Sequence, residues 1–179
     1  MTIRSLAADL GVSPMALYHY VRDKDDLLDE VADRLLVRAW KPRADPANWK
    51  AWIVEAADKM RHFLVSQPAA LHVYLAHPVT SPTAMARMDA LMGVLSKALG
   101  DQQAAEQAYA AIHTYTIGFA ALEASRAESE KSHPAARPPS DQRAERAERL
   151  AAYTTPQQFT QGLHYLLAGI LQDHAHHAA

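Results

Sequence analysis

The sequence predicts an all-α fold, with a short helix-turn-helix head joined by a linking helix to a helical body. Three observations carry this expectation. The 179 residues include only 6 glycines. No run alternates apolar and polar residues long enough to make a strand. Apolar residues recur instead at steps of three and four, in segments opened by Ser, Thr or Asn and closed by Gly or Pro.

Thr2 can cap a first helix with Leu6, Ala7 and Leu10 on one face, and Gly11 ends it. Ser13 can cap a second, with Pro14 at its first position, where a missing N–H costs nothing. A third begins after Asp23, its stripe formed by Leu27, Leu28, Val31, Leu35 and Leu36, with Asp25 and Asp26 near its positive end. Pro42 and Pro46 break it near Trp40, which divides the chain into a head at 1–45 and a body at 46–179.

In the body, Asn48 caps a helix through Trp49, Trp52, Ile53, Ala56, Met60 and Leu64 that ends before Pro68. A short apolar helix covers about 69–76, and Pro78 and Pro82 predict a turn. Met85, Met88, Leu91, Met92, Leu95 and Leu99 mark the next helix, stopped by Gly100. From Asp101 to about Glu128, Ala108, Ile112, Tyr115, Phe119 and Leu122 alternate steps of four and three, a packing seam. The Pro-rich stretch 129–143 predicts a loop, a charged helix follows at 141–152, and Phe159, Leu163, Leu166, Leu167, Ile170 and Leu171 mark a last helix at about 156–173.

Composition narrows the function. With 49% hydrophobic and 21% charged residues the chain is an ordinary globular one. It has no cysteine, which excludes disulfides, thiolate metal sites and a thiol nucleophile, and suits a reducing cytoplasm. No signal segment opens it and no stretch approaches the roughly 18 apolar residues of a membrane span, so a cytoplasmic protein without a membrane partner is expected. A net charge of −2 argues against bulk coating of nucleic acid, yet leaves room for a small DNA-reading head.

The segment LAADLGVSPMALYHYV has what such a head needs: a supporting helix, a tight turn and a short second helix that can enter the major groove. Leu6, Ala7 and Leu10 can pack against Val12, Leu17 and Val21, with Gly11 at the turn. That packing leaves Pro14, Met15, Ala16, His19 and Tyr20 facing outward. Arg4 can reach a guanine edge with two hydrogen bonds. Thr2, Tyr18, Tyr20 and Lys24 can donate to phosphates, which fixes register without reading sequence. From spacing alone Tyr18 serves equally well in a core, and Lys24 as a solvated helix start.

The longer string TIRSLAADLGVSPMALYHYVRDKDDLLDEV resembles the DNA-binding segment of the tetracycline-repressor (TetR) family, matching nearly every anchor position. The resemblance implies base reading by Arg4, Pro14, Met15 and Ala16, and phosphate contacts by Thr2, Tyr18, Tyr20 and Lys24. More weakly, the Trp49–Trp52 helix, TYTIGFAALEAS at 114–125 and the last helix resemble the effector domain of that family. This implies a homodimer formed through helices near 102–128 and 156–173, and two heads on two half-sites of double-stranded operator DNA. It further implies a small-molecule effector in the body that shifts the linking helix. The expected protein is thus a repressor released by its effector.

Two departures from the family stand out. Its head begins with a further helix before the Thr cap, whereas here Met1 immediately precedes Thr2. That helix would cover Leu6, Leu10 and Leu28, so the expectation is a truncated head; a regulator with weakened DNA binding is the alternative. In the tetracycline repressor an asparagine grips the drug and a histidine ligates its magnesium; ungapped alignment puts Ala56 and Tyr74 at those positions. Neither can do the same work. The effector pocket is therefore expected to be larger and more apolar, drawn from Trp52, Ala56, Met60, Leu64, Tyr74, Met88, Met92, His113, Thr116 and Ile117. Taken singly, each of these reads more readily as plain core.

Ten histidines raise a metal or catalytic reading. His72 and His77 lie five apart, off one helical face, and His113 suits a satisfied core position. His174, His176 and His177 read better as a frayed tail than as a metal site. There is no nucleophile elbow, Gly-rich phosphate loop or HExxH, so no catalytic residue, metal or cofactor is assigned and no enzyme is expected. The rival readings are a helical dimerisation or ligand-binding protein with a degenerate head and, further off, an all-α enzyme.

Overall fold

The computed structural model describes residues 2–39, 47–76, 80–132, 149 and 152–177, and all of their regular structure is helical. Thr2 opens α1 (Ile3–Asp9): its Oγ1 accepts the Ser5 amide at 3.1 Å while Ser5 Oγ accepts the Thr2 amide at 3.0 Å. This reciprocal box satisfies two end donors and contributes about 1 kcal/mol. Gly11 turns the chain at φ +68°, a left-handed backbone open to glycine. Ser13 caps α2 (Pro14–Tyr18), accepting the Ala16 amide at 3.2 Å. At the head of α3 (Lys24–Ala39), Asp23 Oδ1 accepts the Asp26 amide at 2.8 Å.

The head packs on part of the expected set, with Ala7 and Val21 buried as expected. α1 buries Ile3 and Ala7, one turn apart, and these with Val21 make its interior. Leu10 is 59% exposed and Val12 is exposed too, while Leu6 and Leu17 are half-buried. Leu10 shares the register of Ile3, seven residues earlier, but it is the C-cap of α1 and is left uncovered at the helix end.

Asn48 caps α4 (Trp49–Ser66) by accepting the Ala51 amide at 3.3 Å. After α5 (Pro68–Ala76), Ser81 caps α6 (Pro82–Leu99), and Gly100 closes it at φ +69°. Pro82 is therefore the first residue of a helix rather than part of a turn. Then come α7 (Gln102–Ser132) and α8 (Pro156–His177). Both outrun their expected ends. Residues 129–132 continue α7 instead of opening a loop, because Glu, Lys and Ser in a solvated last turn do not break a helix. The C-terminal histidines extend α8, where His176 Nδ1 lies 2.7 Å from the Gln172 carbonyl. Trp40, Pro42, Pro46, the expected 45/46 boundary, His77, Pro78 and residues 133–148 lie outside the described residues. Of the expected helix at 141–152, Arg149 and Ala152 are described, and both are helical.

The largest core joins α4, α6, α7 and α8 through Trp52, Ile53, Leu95, Ile112, Phe119, Phe159 and Leu163. Its aromatic centre stacks Tyr115 on Phe159 at 5.4 Å, with Phe119 edge-on to Phe159 at 5.1 Å. The expected seam on α7 holds at Ala108, Ile112 and Phe119, but Leu122 is 57% exposed. Arg61 crosses this region inside the protein: it bonds Asp58 on its own helix and reaches Glu123 of α7 at 2.7 Å, with its guanidinium over Phe159.

A second core sets Leu36 of α3 against Phe63, Leu64, Leu71 and Ala120, and a third sets Leu28 and Ala32 against Val73 of α5. The linking helix is thus packed on the body along its length.

Candidate functional site

Two features stand apart from the packing. The first is the outward face of the head. Met15 is 70% and Tyr20 85% exposed, Pro14 and Tyr18 are exposed, and Ala16 is half-buried. Arg4 and Lys24 are exposed on α1 and at the start of α3. Of the two readings of Tyr18, burial in a core is thereby removed. Thr2 is exposed, yet its hydroxyl is already engaged by the amide and hydroxyl of Ser5 in the cap. The turn into α3 is fixed by Arg22, whose amide and guanidinium both donate to Asp26, at 2.9 and 2.8 Å. These bonds hold the Asp26 carboxyl below, and the Arg22 guanidinium above, its ordinary pKa.

The second feature is a partly open cavity of about 400 Å³ bordered by α4, α5, α6 and α7. Ala56 and Met60 come from α4, Tyr74 from α5, Met88 from α6, and His113, Thr116 and Ile117 from α7. Trp52, Leu64 and Met92, expected beside them, are not in its wall. Trp52 and Leu64 are buried in the first and second cores, where α4 turns toward other helices. Met92 is half-buried, and the cavity-facing stripe of α6 runs instead through Ala84, Arg87, Met88 and Leu91.

Besides the apolar Ala57, Ala84, Met85, Leu91 and Ile112, sequence reasoning missed the cavity's polar Thr80, Arg87 and Tyr109. The signal was present for two of them. Arg87 is three residues after Ala84 and four before Leu91, and Tyr109 is four before His113, both on the helical stripe of an apolar face. Thr80 sits before the cap of α6 and carries no periodic signal.

The cavity wall is mostly apolar, with a few polar groups. Burial holds His113 below its ordinary pKa, favouring the neutral imidazole, and pushes the Tyr74 and Tyr109 hydroxyls up. Tyr109 stacks on His113 at 5.2 Å, and its hydroxyl lies 3.4 Å from His113 Nδ1. The Thr116 hydroxyl donates to the Ile112 carbonyl at 2.7 Å, back-bonding within its own helix. Among the described residues no group of three or more His, Cys, Asp or Glu is placed to hold a metal ion.

Polar bonds tie this wall to α3. Thr80 donates from its amide and hydroxyl to Asp29 at 3.1 and 2.8 Å. The Thr83 amide donates to Asp33 at 2.7 Å, and hydrogen bonding from the Thr83 side chain first, then from this amide, holds that carboxyl below its ordinary pKa. Arg87 Nη2 donates to the Leu36 carbonyl. Thr80 and Arg87 therefore face the cavity and grip the linking helix at once.

A helix-turn-helix joined through one long helix to an all-α body with a central cavity defines a class of regulator architecture, and comparisons with known proteins place the chain within it. Residues 41–173 match the model of the tetracyclin repressor-like C-terminal domain. The chain belongs to the tetracycline-repressor-like family. It is 28% identical over 123 residues to an HTH-type transcriptional regulator of Saccharopolyspora erythraea, covering 69% of this chain and 52% of the relative. It is 32% identical over 123 residues to the class A tetracycline repressor of transposon 1721 from Escherichia coli, covering 66% and 55%. The chain thus spans about half the length of these relatives. In fold it is similar to the Streptomyces coelicolor TetR-family protein ActR in complex with actinorhodin, with a TM-score of 0.71 and 21% identity over 97% of this chain and 88% of the other. No described helix is long and apolar enough to cross a membrane.

Proposed function

We propose that this protein is a DNA-binding transcriptional repressor released by a small-molecule effector, with a DNA-reading head at 1–45 and an effector-binding, dimerising body at 46–179. The observation that carries the proposal is the double engagement of Thr80 and Arg87, which line the cavity and bond α3. An occupant that moves either side chain changes the hold on the helix that carries the head. Such an occupant shifts the protein between two states only by binding them with different affinity.

In the head, Arg4, Pro14, Met15 and Ala16 read base edges while Tyr18, Tyr20 and Lys24 contact phosphates. Thr2 takes a structural part, since its hydroxyl already serves the cap of α1. The dimer forms through α7 and α8, which leave Leu122 and Tyr165 exposed in the single chain. The E. coli relative is named for tetracycline, but Ala56 lacks any side-chain donor and Tyr74 is a poor magnesium ligand, so a different and more apolar effector is inferred here.

The experiment is retardation of the DNA upstream of the protein's own gene, followed by a thermal-shift screen of small molecules. The expected result is specific retardation relieved by compounds that raise Tm. Specific retardation unaffected by every stabilising compound would contradict the effector reading; absence of specific retardation would favour a dimerisation module with a degenerate head.

A further inference from the structure

The polar groups of the cavity wall differ in how much of their hydrogen bonding is already used. The hydroxyls of Thr80 and Thr116 donate to Asp29 and to the Ile112 carbonyl, and Arg87 is engaged at the Leu36 carbonyl. The Tyr109 hydroxyl lies 3.4 Å from His113 Nδ1. Tyr74 differs: it lines the cavity from α5, yet its hydroxyl makes no hydrogen bond among the described residues. Nor is that oxygen sealed in the packing, since the residue is half-buried and the atom keeps open surface. Arg87 and Tyr109, both in the same wall, act on its ionisation, which places the hydroxyl among them. Burial keeps it protonated, so it stands as a neutral donor without an acceptor.

The rest of the wall suits a flat apolar body. Tyr109 and His113, stacked at 5.2 Å, offer an aromatic surface, and Met60, Met88 and Ile117 an adaptable aliphatic one. The described lining residues include no carboxylate to attract a cation. A ligand acid would give up its hydration against methionine and aliphatic side chains, which costs more than burying a carbonyl.

We propose that the cavity takes an uncharged aromatic ligand bearing a carbonyl, and that the Tyr74 hydroxyl donates to that carbonyl. The inference rests on the reading of the cavity as the effector site. It adds the effector's chemical class and the side chain that selects it.

The test uses three probes of similar shape in equilibrium dialysis with the full chain: 2-acetylnaphthalene, 2-ethylnaphthalene and 2-naphthoate. Tyr74→Phe removes one oxygen and keeps the ring. It should weaken the ketone about fivefold and leave the hydrocarbon unchanged, since only the ketone loses a hydrogen bond. The wild type should bind the ketone more tightly than the carboxylate. A Tyr74→Phe effect equal on ketone and hydrocarbon, or no effect on either, would overturn the proposal. So would a carboxylate that binds the wild type more tightly than the ketone. Ile117→Trp, or Ala84→Phe if the first does not fold, fills the cavity and should weaken all three probes. Probes that ignore this filling, or none binding at all, would overturn the cavity reading itself and this proposal with it.

Discussion

At the scale of single residues, the side chains with the largest expected effects are those whose neighbours cannot compensate. Arg61 is 5% exposed, bonded to Asp58 and Glu123 and lying over Phe159. Arg61→Ala leaves the Glu123 carboxylate facing a void and should cost about 3 kcal/mol in chemical denaturation. Arg61→Met keeps the packing over Phe159 and should cost less. Gly162 is similarly constrained, because a Cβ there would fall 2.1 Å from the Tyr115 hydroxyl, which donates to the Phe159 carbonyl. Gly162→Ala must displace that stacked ring and should lower stability by about 1–3 kcal/mol.

His113 gives a pH dependence with a definite sign. Held neutral by burial, it binds fewer protons folded than unfolded. Its contribution is therefore intact above the ordinary value of 6.5 and is lost as pH falls from there toward its lowered folded value. Tm should decline across that window, and His113→Gln should flatten the decline. An unchanged slope would mean that His113 protonates freely in the folded chain.

At the scale of elements, the sequence marked most helix starts because caps are local chemistry. Thr2, Ser13 and Asn48 each accept an amide three residues on, as their positions predict. Helix ends were less legible, since α7 runs through Glu, Lys and Ser and α8 through its histidines without a breaker. What each inward face meets was harder still. Trp52 and Leu64 face inward as their stripe predicts but serve the cores rather than the cavity wall, while Met92 stays half-buried beside the cavity-facing stripe and Leu10 is exposed at a helix end. Arg87 was overlooked because a charged residue on an apolar helix reads as solvated, although its register puts it on the cavity.

The bonds from Asp29 and Asp33 to the segment before α6 and its first turn give an element-scale prediction. The Asp29→Ala, Asp33→Ala double variant should speed amide hydrogen exchange through residues 24–36 while leaving the α7 core unchanged. Unchanged exchange in α3 would mean that the apolar clusters at Leu28 and Leu36 hold it alone.

At the scale of the molecule, the proposal joins a DNA-facing surface and a ligand cavity through one helix and doubles the result by dimerisation. Leu122 and Tyr165, 57% and 67% exposed on α7 and α8, are the apolar groups a second copy would cover. Tyr165→Arg should therefore shift the protein toward monomer in sedimentation velocity and weaken DNA binding with it. A dimer unaffected by this substitution would place the interface elsewhere.

The central claim, that the head reads sequence, is tested most directly by a competition titration. The wild type, Arg4→Ala and Lys24→Ala are each bound to the duplex upstream of the gene and to a shuffled duplex at several salt concentrations. The wild type should prefer its own duplex by about 1,000-fold or more. Arg4→Ala should lose most of that preference, whereas Lys24→Ala should weaken both duplexes alike and lower the salt slope by about one. A wild type that binds the two duplexes equally, or variants that lose the same thing, would contradict the account.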